Sequence, residues 1–272
     1  MANTIQKAAQ NQAVAERGGK DIRTLIRQMA PAIQKALPSV ITPERFTRMV
    51  LTALSSTPKL AECDQTSFLA AMMNAAQLGL EPNTPLGQAY LIPFKNHGQM
   101  QVQFQLGYKG LIDLAYRSGD VVTVQAQVVY ENDTFECEFG IEPKLRHIPA
   151  DGERGNPVRV YAMFRTKSGG YGFEVMSMED IRRHAEKYSQ SYSSGFSPWK
   201  TSFEEMAKKT VLKRCLKYAP LRSDIAAAIT GDGGIRHEIA EDMNEVSVEY
   251  IAAETVETVT AEAEVQEVSD AE

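Results

Sequence analysis

The densest cluster of side chains able to do chemistry lies at residues 199–217, where Lys200, Lys208, Lys209, Lys213, Arg214 and Lys217 follow the single tryptophan, Trp199. On a helix, Lys209, Lys213 and Lys217 fall at i, i+4 and i+8, a stripe that advances about 6 Å per step. That interval is comparable with the phosphate spacing of an extended nucleic-acid strand. Lys208 and Arg214 diverge from the stripe and would broaden the basic surface. Phe203, Ala207, Val211 and Cys215 line another side, the face expected to hold the helix to a core. The surroundings are basic as well: Arg182 to Arg222 contains ten Lys and Arg, among them Arg182, Arg183 and Lys187, against three acids. Tyr188, Tyr192, Phe196, Trp199, Phe203 and Tyr218 are interleaved with them. Cations for phosphates and rings for bases are the two ingredients of sequence-tolerant single-strand binding. A solvated basic face without a ligand is the alternative for this helix, and Trp199 stands open between core and base contact.

A second constellation is GYKGLIDLAYRSG at residues 107–119. Tyr108 and Lys109 sit where a strand turns into a helix and Arg117 lies two turns later, so the helix start can meet a nucleic-acid backbone. In the preceding strand Gln99, Gln101, Gln103 and Gln105 alternate with Met100, Val102, Phe104 and Leu106. That period of two predicts an apolar packed face and a face of four amides.

Other chemistries lack their motifs. There is no G-x-x-x-x-G-K-[ST], no G-x-G-x-x-G after a strand and no G-x-S-x-G turn. His97, His147, His184 and His237 stand in unrelated segments without metal-ligand spacing and read as surface or turn residues. Cys63, Cys137 and Cys215 are odd in number and scattered, which suggests neither a disulfide framework nor zinc and fits a reducing cytoplasm. Glu179-Asp180 and Glu204-Glu205 fall in first turns of helices, where they complement the dipole. The expectation is a protein with no metal or nucleotide cofactor and no catalytic constellation. A metal-dependent nuclease assembled from distant carboxylates is the competing reading.

These side chains must be positioned by a fold, and 272 residues with 43% hydrophobic and 24% charged composition can bury a substantial core. Residues 1–20 show no sustained period and are expected to form a flexible arm. Apolar spacing then predicts three helices: from Asp21 to Pro38, from Thr42 with Pro43 at its first position, and from Asp64 to Gly79. AYLIPF and QMQVQFQL about KNHG form a hairpin, followed by the helix after Gly107. VVTVQAQVVY and FECEF are strands, and a Pro- and Gly-rich loop runs through residue 157. VRVYAMFRT and GYGFEVM pair about KSGG, MEDIRRHAEKYSQ is a helix, SYSSGFSP a linker, and a helix runs from Pro198 to Pro220. Helices mixed with consecutive antiparallel strands predict an α+β fold.

The net charge of −6 is unevenly spread. Arg236 is the last basic residue, and twelve acids follow it, so the chain before that tail has 29 basic against 23 acidic residues. A core at 21–235 and an acidic tail at 236–272 are the expected organisation, with the basic body suited to a polyanion and the tail to screening or recruiting a partner. The polar N-terminus and the absence of a long apolar run predict a cytoplasmic protein that does not engage a membrane.

LGLEPNTPLGQAYLIPF, QVQFQLGYKGLIDLAYRSG and EMAKKTVLKRCLKYAP, in this order, resemble the RecT family of phage and prophage recombinases over roughly residues 20–235. The resemblance implies annealing of single-stranded DNA without ATP by a homo-oligomer, a ring or helical filament. It implies work beside a 5′-to-3′ exonuclease of the RecE kind, and a host single-strand-binding protein is a further candidate partner for the tail. Distant relatives suggest an antiparallel sheet backed by helices that lines a DNA-binding groove, in which the QFQLGYKG segment and the basic helix after Trp199 would lie. A generic single-strand-binding module without annealing activity is the nearest alternative.

Overall fold

The computed structural model describes residues 22–96, 98–189, 192 and 197–250. The expected N-terminal arm, the Asp21 cap, His97, Phe196, most of the Ser/Gly linker and the last part of the acidic tail lie outside the described residues.

Residues 22–28 form α1, which is interrupted at Met29 before α2 (Ala30–Ala36). Pro31 lies within the first positions of α2, and the single helix expected here is thereby divided. α3 (Pro43–Ser56) begins as its residues dictate, with Thr42 Oγ1 accepting from the Arg45 amide at 3.3 Å and Pro43 where no N–H is needed. After a 3₁₀ turn (Pro58–Glu62), α4 (Gln65–Leu78) is capped by Asp64, whose carboxylate accepts from Ser67 N at 2.8 Å. It ends on Gly79 at φ +59°, a left-handed residue suited to glycine. Nearly every side of α4 is buried, as its run of Ala, Met, Leu and Phe requires, with α2 against it and the first hairpin packed on it.

That hairpin pairs β1 (Ala89–Asn96) with β2 (Gln99–Leu106) antiparallel, Leu91 opposite Phe104 and Pro93 opposite Val102. α5 (Tyr108–Arg117) follows directly. The turn into it needs glycine: a Cβ on Gly107 would collide with the carbonyl oxygen of Gly87, and one on Gly110 with that of Gln88.

A second sheet has the order β3-β6-β7, formed by β3 (Val121–Tyr130), β6 (Pro157–Thr166) and β7 (Tyr171–Ser177). Its register lines up Val124 with Phe164, Ala126 with Ala162 and Val128 with Val160, and Val160 in turn with Met176, so one face is apolar. α6 (Met178–Tyr188) and α8 (Phe203–Leu216) cover the sheet, and α5 packs on α8 and β3. A short α7 (Pro198–Thr201) precedes α8, and α9 (Ser223–Thr230) packs beside α5. The fold is α+β with antiparallel sheets and helices around one hydrophobic core.

Two elements stand outside the expectation. The segment expected as loop through residue 157 contains β5 (Lys144–Ile148), paired with β4 (Thr134–Glu138). β5 reads KLRHI, five residues without a sustained alternation that could be told from a loop, and its partner supplies the pairing. The hairpin is clasped by Asp133, whose buried carboxylate accepts from Arg154 at 2.6 and 2.9 Å, His147 at 2.9 Å and the amides of Tyr130 and Ala150. The Arg154 guanidinium, foremost among these donors, holds the Asp133 carboxyl far below the ordinary carboxylate range. His147, expected as a surface or turn residue, is therefore an interior hydrogen-bonding residue. The second departure is at the C-terminal end: packing continues beyond residue 236 as far as residue 250. Met243 is fully buried, and its amide donates to Gln77 Oε1 at 2.7 Å.

Candidate nucleic-acid interface

α8 has neighbours on two sides, the second sheet on one and α5 on the other, and Ala207, Thr210, Val211, Leu212, Cys215 and Leu216 are all buried. Ala207, Val211 and Cys215 hold it to the core as expected, but the buried surface runs well around the helix. The lysine stripe is correspondingly split. Lys209 and Lys213 point at Asp232 in the loop after α9, with Nζ to Oδ2 distances of 3.4 and 3.2 Å. Asp232 is 4% exposed and Lys209 12%. The second carboxylate oxygen accepts from the amide of Leu106 at the end of β2, at 2.6 Å. Burial pulls the Lys209 ammonium below the ordinary lysine value against the opposing pull of Asp232. Burial pushes Asp232 up, but Lys209, Lys213 and the Leu106 amide outweigh it, and its carboxyl stays below the ordinary range. The open row of three lysines expected from the spacing is corrected to an internal ion cluster plus one exposed member, Lys217. A desolvated ammonium is costly without a counter-charge, and tertiary contact supplied one from a distant loop.

Other marked residues are also occupied from within. The helix expected from Pro198 to Pro220 breaks at Ser202, where φ −147° and ψ 52° leave helical geometry. The break brings Trp199 and Phe203 into an edge-on contact with ring centroids 5.7 Å apart. Trp199 is 6% exposed and belongs to the core, which settles its position and removes it from the surface available for stacking. Arg117 donates to Leu78 O at 2.8 Å, satisfying a free carbonyl at the end of α4, and pairs with Asp113 at 2.7 Å. It serves as a brace between helices rather than as an open cation. The amide face of β2 is divided: Gln101 is buried against Asn96 at 3.1 Å, Gln103 donates to Gly233 O, and Gln105 is half-buried. Burial and then Glu205 raise the pKa of Tyr108, while Lys109 beside it is exposed. Lys208 pairs with Glu205 at 3.2 Å on α8, and Lys200 is exposed on α7.

Further basic side chains reach solvent on either side of the seam where α6 runs against α8. Arg182, Arg183 and Lys187 are exposed on α6, and Arg214 and Lys217 on the last turns of α8. Arg214 meets Glu174 of β7 at 2.7 Å and keeps half of its side chain in solvent. His184 lies between the two helices: burial lowers its pKa, and Arg214, Lys213 and Lys217 lower it further. The imidazole of α6 thus registers the cations at the end of α8. Tyr188 is 63% and Tyr218 81% exposed, unusual for large rings. Lys187 Nζ lies 5.3 Å from the Tyr188 ring centre, and the Tyr188 ring stacks obliquely on His184 at 4.7 Å. Two exposed rings among cations can offer stacking platforms beside phosphate contacts. The seam was indicated in the sequence by the charge of residues 182–222. Its pairing of α6 with α8 was not, because that contact is made by tertiary packing between two helices separated by the linker and α7. Asp232 and Glu174, the acids that occupy the lysines and Arg214, had no sequence signal at all.

Residues 44–247 match the model of the RecT family. The chain is 41% identical over 234 residues to Protein RecT of Escherichia coli strain K12, covering 84% of this chain and 86% of that protein. The chain belongs to the RecT family. It is thereby a recombination protein of the single-strand-annealing, DNA-binding kind. Uncharacterized protein YqaK of Bacillus subtilis strain 168 is 28% identical over 243 residues, 87% of this chain and 80% of that one. The RecT match spans both the β2–α5 junction and the α6–α8 seam and ends at 247, within the packed segment after Arg236. Among the described residues no helix is long and apolar enough to cross a membrane, and no three His, Cys, Asp or Glu side chains converge as a metal-binding group.

Proposed function

We propose that this RecT-family chain binds single-stranded DNA, assembles along it as a homo-oligomer, a ring or helical filament, and pairs complementary strands without ATP or another cofactor. The observation that carries this reading is the α6–α8 seam, where Arg214 and Lys217 of α8 lie near His184 of α6 and the exposed Tyr188, beside Lys187, stacks on that imidazole. Cations neutralise the phosphates and rings accept bases of any identity, while sequence selection is left to Watson–Crick pairing with the incoming strand. Lys109, at the exposed start of α5, and Lys200 on α7 are further cations for the same role. Bringing two polyanions together requires charge neutralisation and position rather than bond chemistry. The proposed setting is the cytoplasm of a bacterial host, beside a 5′-to-3′ exonuclease of the RecE kind that supplies single strands and a host single-strand-binding protein that occupies them.

The test is to mix complementary oligonucleotides with the protein in the absence of ATP and follow duplex formation. Acceleration over the protein-free rate is expected. Binding without acceleration would reduce the chain to a single-strand-binding module, and magnesium-dependent degradation of the strands would point to a nuclease instead.

A further inference from the structure

One loop answers three of the residues that the sequence marks for nucleic acid. Asp232 takes Lys209 and Lys213 through its carboxylate, its backbone oxygen accepts again from Lys213 at 3.2 Å, and the neighbouring carbonyl of Gly233 accepts from Gln103. The Leu106 amide completes the set at 2.6 Å. Two ammoniums, a backbone N–H and a side-chain amide are the donors that grip a phosphodiester, and here a carboxylate and two carbonyls fill them. The charges do not balance: one carboxylate faces two ammoniums in a largely buried setting. The cradle sits at the end of β2, and Lys213, 27% exposed, brings one edge of it to solvent.

The loop opens a strap, residues 231–250, laid over the core. Its polar attachments are an Ile235–Glu249 bridge at 3.0 and 2.9 Å, Gln77 with Asp242 and Met243 at 2.6 and 2.7 Å, and Tyr250 Oη donating to Thr230 O at 2.6 Å, and it is seated by the buried Met243 and Val246. From His237 onward the strap carries Glu238, Glu241, Asp242, Glu245 and Glu249 and no Lys or Arg, so it and a polyanion repel each other. We infer that the Lys209–Lys213–Leu106 cradle is a phosphodiester site that the chain fills with Asp232, and that a nucleic-acid strand takes it by displacing the strap. The inference rests on the proposed single-strand binding.

Hydrogen exchange of the full-length protein with and without oligo-dT tests it. Displacement speeds exchange at the amides of Ile235, Met243 and Glu249 roughly tenfold or more once the oligonucleotide is bound. Unchanged or slowed exchange with the oligonucleotide demonstrably bound overturns the inference and leaves the proposed function standing. If oligo-dT does not bind at all, both fall. Asp232→Asn adds a second reading: in a folded variant the competing carboxylate is gone, and oligo-dT binds roughly tenfold more tightly than to the unaltered chain at the same salt. An unchanged or weaker affinity in that variant counts against the site, and if the variant does not fold, the exchange measurement on the unaltered chain decides.

Discussion

α6 and α8 carry the same kind of charge and put it to opposite uses. Arg182, Arg183 and Lys187 of α6 stand in solvent, whereas Lys209 and Lys213 of α8 turn inward to a buried carboxylate. The difference lies in what surrounds each helix. α6 has a single packed face, formed by Met178, Ile181 and Ala185, and the rest of its circumference is free. α8 is enclosed by the sheet and by α5, and Lys209 and Lys213 meet the carboxylate of Asp232 in the loop after α9. Basic residues at helical spacing therefore describe a capacity to meet phosphates, and the neighbours of the helix decide whether that capacity is exposed.

The sharpest way to break this contrast is to remove a cation from each helix. Lys209→Ala leaves Asp232 short of a partner in a desolvated site and is expected to cost about 3 kcal/mol of unfolding free energy, the low end for a broken buried pair because Lys213 still holds the carboxylate. Lys187→Ala on α6 is expected to stay within about 0.5 kcal/mol. Urea unfolding of the two variants checks the pair, and equal losses would erase the distinction. Of similar size is Trp199→Ala, expected to cost about 3–5 kcal/mol as a core truncation. Trp199→Phe should retain most of the stability and leave DNA affinity unchanged. Weaker binding by a folded Trp199→Phe protein would return that ring to the interface.

On the binding side, Arg214→Ala combined with Lys217→Ala is expected to leave the fold intact and flatten the salt dependence of oligo-dT binding by about 1.4. An unaltered slope would exclude the α8 end of the seam. The smallest expected effect is at His184. Its pKa in the free protein lies below the ordinary 6.5, first through burial and then through Arg214, Lys213 and Lys217. The unfolded chain therefore binds the proton more readily, and this residue's contribution to stability declines as pH falls below the unfolded value towards the folded one. A phosphate held at the seam offsets the neighbouring cations, so NMR titration should show the His184 pKa rising when oligo-dT is bound. A value that does not move would place the strand elsewhere.

Much of this architecture is local and was legible for that reason. Thr42-Pro43, Asp64 with Gly79, and the Pro198 start carry their own cap or turn geometry, and the alternation in β2 puts Val102, Phe104 and Leu106 inward as read. β5 escaped notice because five residues hold too little pattern, and the break at Ser202 because helix spacing continues on either side of it. Placement of the marked side chains was the least legible part: Lys209, Lys213, Arg117, Gln103 and Trp199 each found an internal partner.

By itself, then, the sequence determined most of the elements, the α+β class and the basic body, since each follows from spacing, caps and composition within short stretches, and its motifs carried the resemblance to the RecT family. Only the tertiary structure decided which cations face water. Helical spacing sets the direction in which an ammonium leaves the helix, but it is a carboxylate brought within 3.2 Å from nineteen positions away that turns Lys213 inward.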